Sequence, residues 1–283
     1  MKRIIVVAVL GACDASLDQR LAIVREPRVL AITSEPPEVK PGSDVVYSAL
    51  VAGPDGPIAA SPQWALCNAP KPPTEDNAVS DACLGNAVID LGAAPTVTAT
   101  IPADACITFG PDVPPGGFRP RDADPTGGYY QPVRADAELE LAFGFSRITC
   151  NLPNAPGDVA HAYQLDYVAN RNPSVSVAVP STITRSAAVT LTAEWPPDAA
   201  ESFLYYDPQT QTLVTRREAM RVSWFASAGA IAVDASAVGE TSDATSVTTT
   251  WQAPARTGPA WLWIVLRDSR GGIATATIAL TIE

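Results

Sequence analysis

The chain is poor in the residues and motifs on which most enzyme active sites depend. It has a single histidine, His161, in 283 residues, so little general-base capacity is available near neutral pH. No G-x-S-x-G, H-E-x-x-H, glycine-rich phosphate loop or S-x-x-K motif occurs. We therefore expect no catalytic activity, no cofactor and no metal. A hydrolase with paired carboxylates stays open as an alternative, because such residues meet only in the fold.

Positive charge and long apolar runs are also scarce. The chain has 19 Lys and Arg against 30 Asp and Glu, which gives a net charge of −11 at pH 7. An acidic surface repels phosphate backbones and no basic run offsets it, so we expect no nucleic-acid partner. The apolar run near the N-terminus is far shorter than the roughly 20 residues that a transmembrane helix needs, and no later segment is apolar and long enough.

Proline and glycine are abundant instead. The 27 prolines and 18 glycines lie in short clusters, which is typical of turns between short strands, and the length predicts two domains. A long loop is expected between Cys106 and Ala135, and one helix over 158–168 with Asp158 as its N-cap. Alternating apolar residues predict strands at 29–33, 44–51, 63–67, 96–101, 139–150, 174–179 and 188–195.

The first residues have the parts of an export signal. Lys2 and Arg3 precede a short apolar run, which ends in Leu10-Gly11-Ala12-Cys13. This ending resembles the lipobox of bacterial lipoproteins. The resemblance implies cleavage before Cys13, a diacylglycerol on its sulfur and a lipid-anchored place in the cell envelope. We expect the outer membrane or cell surface rather than the inner membrane. An ordinary signal peptide or a buried first strand is the alternative.

Four cysteines remain: Cys67, Cys83, Cys106 and Cys150. An even number in an exported protein predicts two disulfides, and three pairings are open. We favour Cys67–Cys83 and Cys106–Cys150, because each closes one Pro-rich, poorly patterned excursion. Metal or thiol chemistry is the alternative, but there is no C-x-x-C and only one histidine to join the thiols.

The C-terminal part has a distinct strand pattern. Trp224 lies in one strand, 248–254 reads TTTWQAP, and two strands flank the turn 268–272, DSRGG, in which Arg270, Gly271 and Gly272 supply positive φ. This pattern resembles the immunoglobulin-like and PKD-like modules of bacterial surface proteins. The N-terminal half repeats the order of strand, Pro-containing turn and strand, with Trp64 matching Trp224, which favours two copies of one architecture.

We therefore predict a mainly β protein with two immunoglobulin-like antiparallel β-sandwich domains, the first elaborated with long loops and one short helix. The predicted segments are a lipoprotein signal peptide at 1–12, a tether at 13–26, a disulfide-bonded domain at 27–172 and a second domain at 173–283. An insertion at 201–217, with Phe203-Leu204-Tyr205-Tyr206, departs from the module.

Two features are candidate binding sites. Trp261 and Trp263 share one face of a strand, and the resemblance places them outward, beside Phe225, as a partner or carbohydrate platform. The alternative is that the insertion or the first domain covers them. The stretch 122–127, DADPTG, resembles the start of a calcium loop, but Val133 stands where a bidentate Glu is needed, and a solvated turn is the alternative.

The sequence thus predicts a non-catalytic envelope lipoprotein with a structural or protein-interaction role. Its expected partners are the membrane, through the lipid, and an envelope protein or polysaccharide. The alternative function is a polysaccharide- or ligand-binding lipoprotein that uses the outward aromatics.

Overall fold

The computed structural model describes residues 21–70, 79–113, 115–117, 123–137 and 141–283. The predicted leader, Cys13 as the predicted site of lipid attachment, and Asp122 lie outside these residues. Among the helices of the described ranges, none is long and apolar enough to cross a membrane.

The first domain is a sandwich of two β-sheets. Its strands are β1 (Arg28–Glu35), β2 (Glu38–Val39), β3 (Asp44–Gly53), β4 (Gly56–Pro57), β5 (Gln63–Cys67), β6 (Val88–Ala93), β7 (Thr96–Thr100), β8 (Gly128–Asp136) and β9 (Leu141–Thr149). In one sheet β3 pairs with β1, β4 and β7, and the other sheet has the order β2-β9-β8-β5-β6. The pairs are antiparallel, except that β2 runs parallel to β9.

The second domain is a sandwich of the same kind. Its strands are β10 (Ser176–Val177), β11 (Thr182–Ile183), β12 (Ala188–Glu194), β13 (Ser202–Asp207), β14 (Thr212–Arg217), β15 (Met220–Ala226), β16 (Ala230–Ile231), β17 (Ala235–Val238), β18 (Ser246–Gln252), β19 (Gly258–Asp268) and β20 (Ile273–Ile282). One sheet has the order β10-β12-β18-β16 and the other β11-β20-β19-β15-β17, while β13 and β14 form a separate hairpin.

The two domains share one topology. In both, a short early strand runs parallel to the last strand, and the order β2-β9-β8-β5-β6 matches β11-β20-β19-β15-β17. Trp64 on β5 and Trp224 on β15 occupy matching strands and are buried in their cores, as the third-strand tryptophan of immunoglobulin folds is. The predicted fold class, two immunoglobulin-like sandwiches, is confirmed.

Both predicted disulfides are present. Cys67, at the end of β5, is bonded to Cys83 in a 3₁₀ helix (Asp81–Leu84), with 5.3 Å between the Cα atoms. Cys106, in the short helix α1 (Ala105–Thr108), is bonded to Cys150 just after β9, with 5.8 Å between the Cα atoms. The bonds close the two excursions that interrupt the first sandwich.

Two local predictions need correction. The predicted helix is α2 (Gly157–Asp166), but Pro156 rather than Asp158 is its N-cap, and His161 lies exposed on its surface. The loop predicted up to Ala135 ends earlier, because β8 begins at Gly128 and buries alternate residues such as Val133. Sequence patterns did not predict this strand, because it contains Gly128 and Pro132, and both residue types are depleted in strands.

The last residues of the predicted tether are part of the fold. The backbone N–H of Val24 donates to the carbonyl of Ala226 at 2.8 Å, and Ile23 forms a parallel bridge with the same residue. Ala22 and Val24 are almost completely buried against the second domain. A tether boundary at residue 26 is therefore wrong for residues 22–24, because their apolar side chains pack on strands contributed from the far end of the chain.

Candidate functional site

The predicted aromatic platform is covered by the first domain. Trp263 is 0 % exposed and packs in an apolar cluster with residues of both domains: Val24, Leu30, Ala31, Ala52 and Val265. A Cβ at Gly56, the first residue of β4, would lie 2.8 Å from the indole of Trp261. The guanidinium of Arg28 lies 5.2 Å from the ring centre of Phe225. Phe225, Trp261 and Trp263 are therefore an interdomain contact and not an open binding patch.

Strand alternation explains why these residues face the first domain. On β19, Leu262, Ile264 and Leu266 fill the core of the second sandwich, so the residues between them point to the opposite face of the sheet. On the first domain, β1 has a bulge between Val29 and Ala31. Bulges change the direction of side chains, and Leu30 is buried in the contact with Trp263.

Beside this apolar contact lies a buried ionic cluster, which we call the junction cluster. Its members are Glu38, Arg147, Tyr167, Glu201, Glu218, Asp268 and Arg270. Residues of the first domain, of the segment after α2 and of the second domain all contribute. None of these side chains was singled out for this role by sequence analysis, since Glu38 lies in a turn-like stretch and Arg270 in a hairpin.

Glu38 is the centre of the first-domain half of the junction cluster. It is paired across the β2–β9 ladder with Arg147, whose Nε lies 3.0 Å from Glu38 Oε1, and both side chains are almost fully buried. The Tyr167 hydroxyl donates to Glu38 Oε1 at 2.7 Å, and the backbone N–H of Asn170 donates to Oε2 at 2.8 Å. These donors compensate the carboxylate for its loss of water.

Arg270 forms the second-domain half and joins the domains. Its Nε donates to Glu218 Oε1 at 2.6 Å and its Nη2 to Glu201 Oε2 at 3.0 Å, while Nη1 lies 3.6 Å from Glu38 Oε2. Arg270 also donates to the carbonyl of Val168 at 3.1 Å. A single guanidinium therefore neutralises carboxylates from both domains, which its planar fork of donors suits.

The turn at 268–272 places Arg270 in this position. The carboxylate of Asp268 accepts from the backbone N–H groups of Arg270 at 2.8 Å and Gly272 at 2.9 Å. Gly271 has a φ of +103°, as predicted, whereas Arg270 and Gly272 do not have positive φ, so the prediction was wrong for those two residues. The other Asp268 contact is the side-chain amide of Asn170, at 3.1 Å from Oδ1.

The cluster shifts the protonation of its acids. Burial raises the pKa of Glu218 to about 7, and the nearby Asp268 charge adds to the rise while Arg270 opposes it. Burial also raises the pKa of Asp268. Glu218 therefore binds its proton more tightly in the folded chain than in the unfolded chain, so protonation of this side chain at low pH stabilises the folded state.

We expect this group to contribute stability that is present below about pH 4.5 and lost as the pH rises through about 7. Replacing Glu218 by glutamine should flatten the dependence of unfolding free energy on pH between 5 and 8 by about 2 kcal/mol. Urea unfolding at several pH values measures this. Glu240→Gln, at an exposed carboxylate of the same domain, should keep the wild-type dependence, and an equally steep profile for Glu218→Gln would contradict the assignment.

The candidate calcium stretch lies beside Arg147 and contacts its guanidinium through Thr126. Asp124 Oδ1 accepts from the backbone N–H of Thr126 at 2.7 Å, and the Thr126 hydroxyl accepts from Arg147 Nη2 at 2.8 Å. A Cβ at Gly128 would lie 1.9 Å from Cζ of Arg147, so a side chain at this position would displace the Arg147 guanidinium. Residues 123–126 are partly exposed and include a turn at 125–126, in line with the alternative of a turn. Asp122 lies outside the described residues, and no group of acidic, histidine or cysteine side chains in the described ranges could hold a metal.

The insertion at 201–217 forms the β13–β14 hairpin, which crosses to the first domain. Tyr206 donates from its backbone N–H to the carbonyl of Pro125 at 2.7 Å. Its ring is buried with Leu152 and Tyr163, beside α2. The hairpin thereby adds a second contact between the domains, separate from the aromatic one.

A cavity of about 520 Å³ opens where the domains separate beyond the apolar contact. It lies between β1, β8 and β9 of the first domain and the β19–β20 turn of the second. Most of its lining is apolar, with Ile32, Phe109, Phe143, Phe145 and Ile273 among the residues. Sequence analysis missed this cavity, because it exists only through the packing of the two domains.

No protein-family model matches the sequence, and no curated protein matches it significantly. Among solved structures, the chain is similar to superoxide reductase (neelaredoxin) from Ignicoccus hospitalis, with 9 % identity and a TM-score of 0.27 over 39 % of this chain and 80 % of that one. It is similar to the adhesin InvE of Yersinia pseudotuberculosis, with 10 % identity and a TM-score of 0.25 over 88 % of this chain and 58 % of the adhesin.

A third similar structure is Escherichia coli alpha-2-macroglobulin, with 9 % identity and a TM-score of 0.26 over 92 % of this chain and 22 % of that protein. At these identities and scores, the likenesses support no statement about function. The immunoglobulin-like assignment rests on the strand order and the buried tryptophans of the chain itself.

Proposed function

We propose that the protein is a membrane-anchored lipoprotein of the bacterial cell envelope, with a structural or protein-interaction role, in which the two immunoglobulin-like domains act as one rigid unit. The observation that carries the proposal is the junction. Arg270 is buried between carboxylates of both domains, and Trp263 is buried between their sheets. Domains joined by small polar contacts move freely, whereas a large buried contact fixes their orientation.

The junction cluster favours a structural role over catalysis. Each carboxylate of Glu38, Glu218 and Asp268 is engaged by donors of the protein itself. A general acid or base must instead reach a substrate proton. The paired carboxylates therefore do not favour a hydrolase, because donors of the protein already hold each of them.

The anchoring part of the proposal rests on the resemblance of Leu10-Gly11-Ala12-Cys13 to a lipobox, and the two disulfides suit an exported protein. The outer membrane or cell surface is the proposed location, with an envelope protein or polysaccharide as the partner. A polysaccharide platform built on Phe225, Trp261 and Trp263 is not proposed, because these side chains lie against the first domain.

Intact mass spectrometry of protein purified from membranes of a bacterial host tests the anchor. We expect the mass of residues 13–283 plus acyl chains, less about four hydrogens for two disulfides. The matched control is Cys13→Ser, which should lose the acyl mass and leave the membrane fraction. An unacylated wild-type chain from a host that processes other lipoproteins would contradict the proposal.

A further inference from the structure

We propose that the cavity at the domain junction binds a small amphipathic anion, a free fatty acid or a similar apolar carboxylate, with its charged group at Arg267. This goes beyond the structural role proposed above and does not depend on the lipid anchor. The inference rests on three observations: the size of the cavity, its apolar lining and the unusual position of one arginine.

The cavity has the size and lining of a small-molecule site. Its volume of about 520 Å³ falls within the range of about 300–1,000 Å³ that is usual for such sites, which often lie between domains. Phe143 and Phe145 project from the same face of β9, and Phe109 and Ile273 approach from other elements. Apolar side chains of this kind suit a hydrocarbon chain or ring.

Arg267 supplies a charge without a counter-charge. It lies at the end of the outward face of β19, past Trp263 and Val265, where that face reaches the cavity. Its Nη2 donates to the carbonyl of Leu30 at 3.2 Å. In the part of the chain that the structure describes, no carboxylate forms an ion pair with it.

This position is costly for an arginine unless an anion binds. Burial lowers the pKa of Arg267, and the positive charge of Arg221, its partner across the β15–β19 ladder, lowers it further. Arginine nevertheless stays protonated in proteins, so the guanidinium keeps its charge and most of its donors remain available. A carboxylate fits the planar donor fork and would compensate both the burial and the repulsion.

Asp268, the next residue, does not serve as the counter-charge of Arg267. Asp268 also borders the cavity, but its carboxylate oxygens accept from Asn170 and from the backbone of the 268–272 turn. Arg270, the other nearby arginine, already forms ion pairs with Glu201 and Glu218. The geometry therefore selects Arg267, and an apolar anion rather than an apolar cation.

Isothermal titration of the disulfide-intact protein with dodecanoate, below its micelle concentration, tests the inference. We expect one site, with dodecyltrimethylammonium binding at least about tenfold more weakly, because the two probes share a chain and differ in charge. Arg267→Gln should weaken dodecanoate about tenfold or more. Arg221→Gln, which removes a neighbouring exposed charge from the same sheet, should weaken dodecanoate binding much less than Arg267→Gln does.

Each outcome decides the inference. Absence of dodecanoate binding overturns it, and so does equal binding of the cationic probe. Unchanged affinity in Arg267→Gln, with thermal unfolding showing that the variant is folded, overturns the assignment of the charged group. The comparison of the two probes uses the wild-type protein, so the inference stays testable even where a variant fails to fold.

Discussion

Replacing Arg270 by methionine is expected to lower the free energy of unfolding by about 3–5 kcal/mol, because it leaves buried carboxylates without their counter-charge. The Arg270 side chain is 2 % exposed, and its partners Glu38 and Glu218 are 0 % exposed. Methionine fills much of the same space, so the loss reports the charge and hydrogen bonds rather than a cavity. Urea unfolding followed by tryptophan fluorescence measures the change.

Arg171→Met is the matched control. Arg171 pairs with Glu201, a carboxylate that Arg270 also contacts, but the Arg171 side chain is 72 % exposed. An exposed ion pair contributes about 0–1 kcal/mol, so this variant should unfold close to the wild type. If the two variants lose equal free energy of unfolding, the burial of Arg270 between the domains does not increase its contribution to stability. A second unfolding transition in Arg270→Met alone would show the two domains unfolding separately.

The second large effect is expected at Trp263. Truncation to alanine removes a fully buried ring from the contact with Leu30 and Ala52, and we expect a loss of about 3–5 kcal/mol. The contact lies between domains, so the variant should also let them separate. An increase in the radius of gyration, measured by small-angle X-ray scattering, would report the separation.

Trp263→Phe separates the ring from its N–H group. The Nε1 atom of Trp263 is buried and has no hydrogen-bond partner among the described residues, which costs stability in the native state. Phenylalanine removes this unsatisfied group and keeps most of the apolar contact, so its loss should be clearly smaller than that of alanine. If phenylalanine and alanine are equally harmful, packing of the ring does not hold the junction together.

Local sequence pattern predicted the fold well where burial alternates along one strand. The strands predicted at 96–101 and 188–195 correspond to β7 and β12, in which exposed and more buried residues alternate. Trp64 and Trp224 lie on matching strands, as predicted. Both disulfides followed from cysteine count and the excursions that they close. These features depend on near neighbours in the chain, so a single sequence contains the information.

The junction could not be predicted in the same way. Glu38 and Arg270 are separated by most of the chain, and each lies in a stretch with turn composition. Their ion pair depends on how two finished domains pack. The same reason applies to Trp263. Alternation together with the resemblance to immunoglobulin-like modules placed it on the outward face of its strand. Neither could decide between an open platform and the alternative, cover by the first domain, which the structure shows.

One consequence follows from the position of residues 22–24. Ala22 packs in the core of the second sandwich, and the backbones of Ile23 and Val24 pair with β15, about 200 residues later in the chain. A chain is synthesised from its N-terminus, and early domains can fold before later ones emerge. The first residues of the described fold must therefore wait until the second sandwich exists before they find their partners. These residues are thus synthesised before almost all of the described fold and yet form these contacts only after the second sandwich has folded.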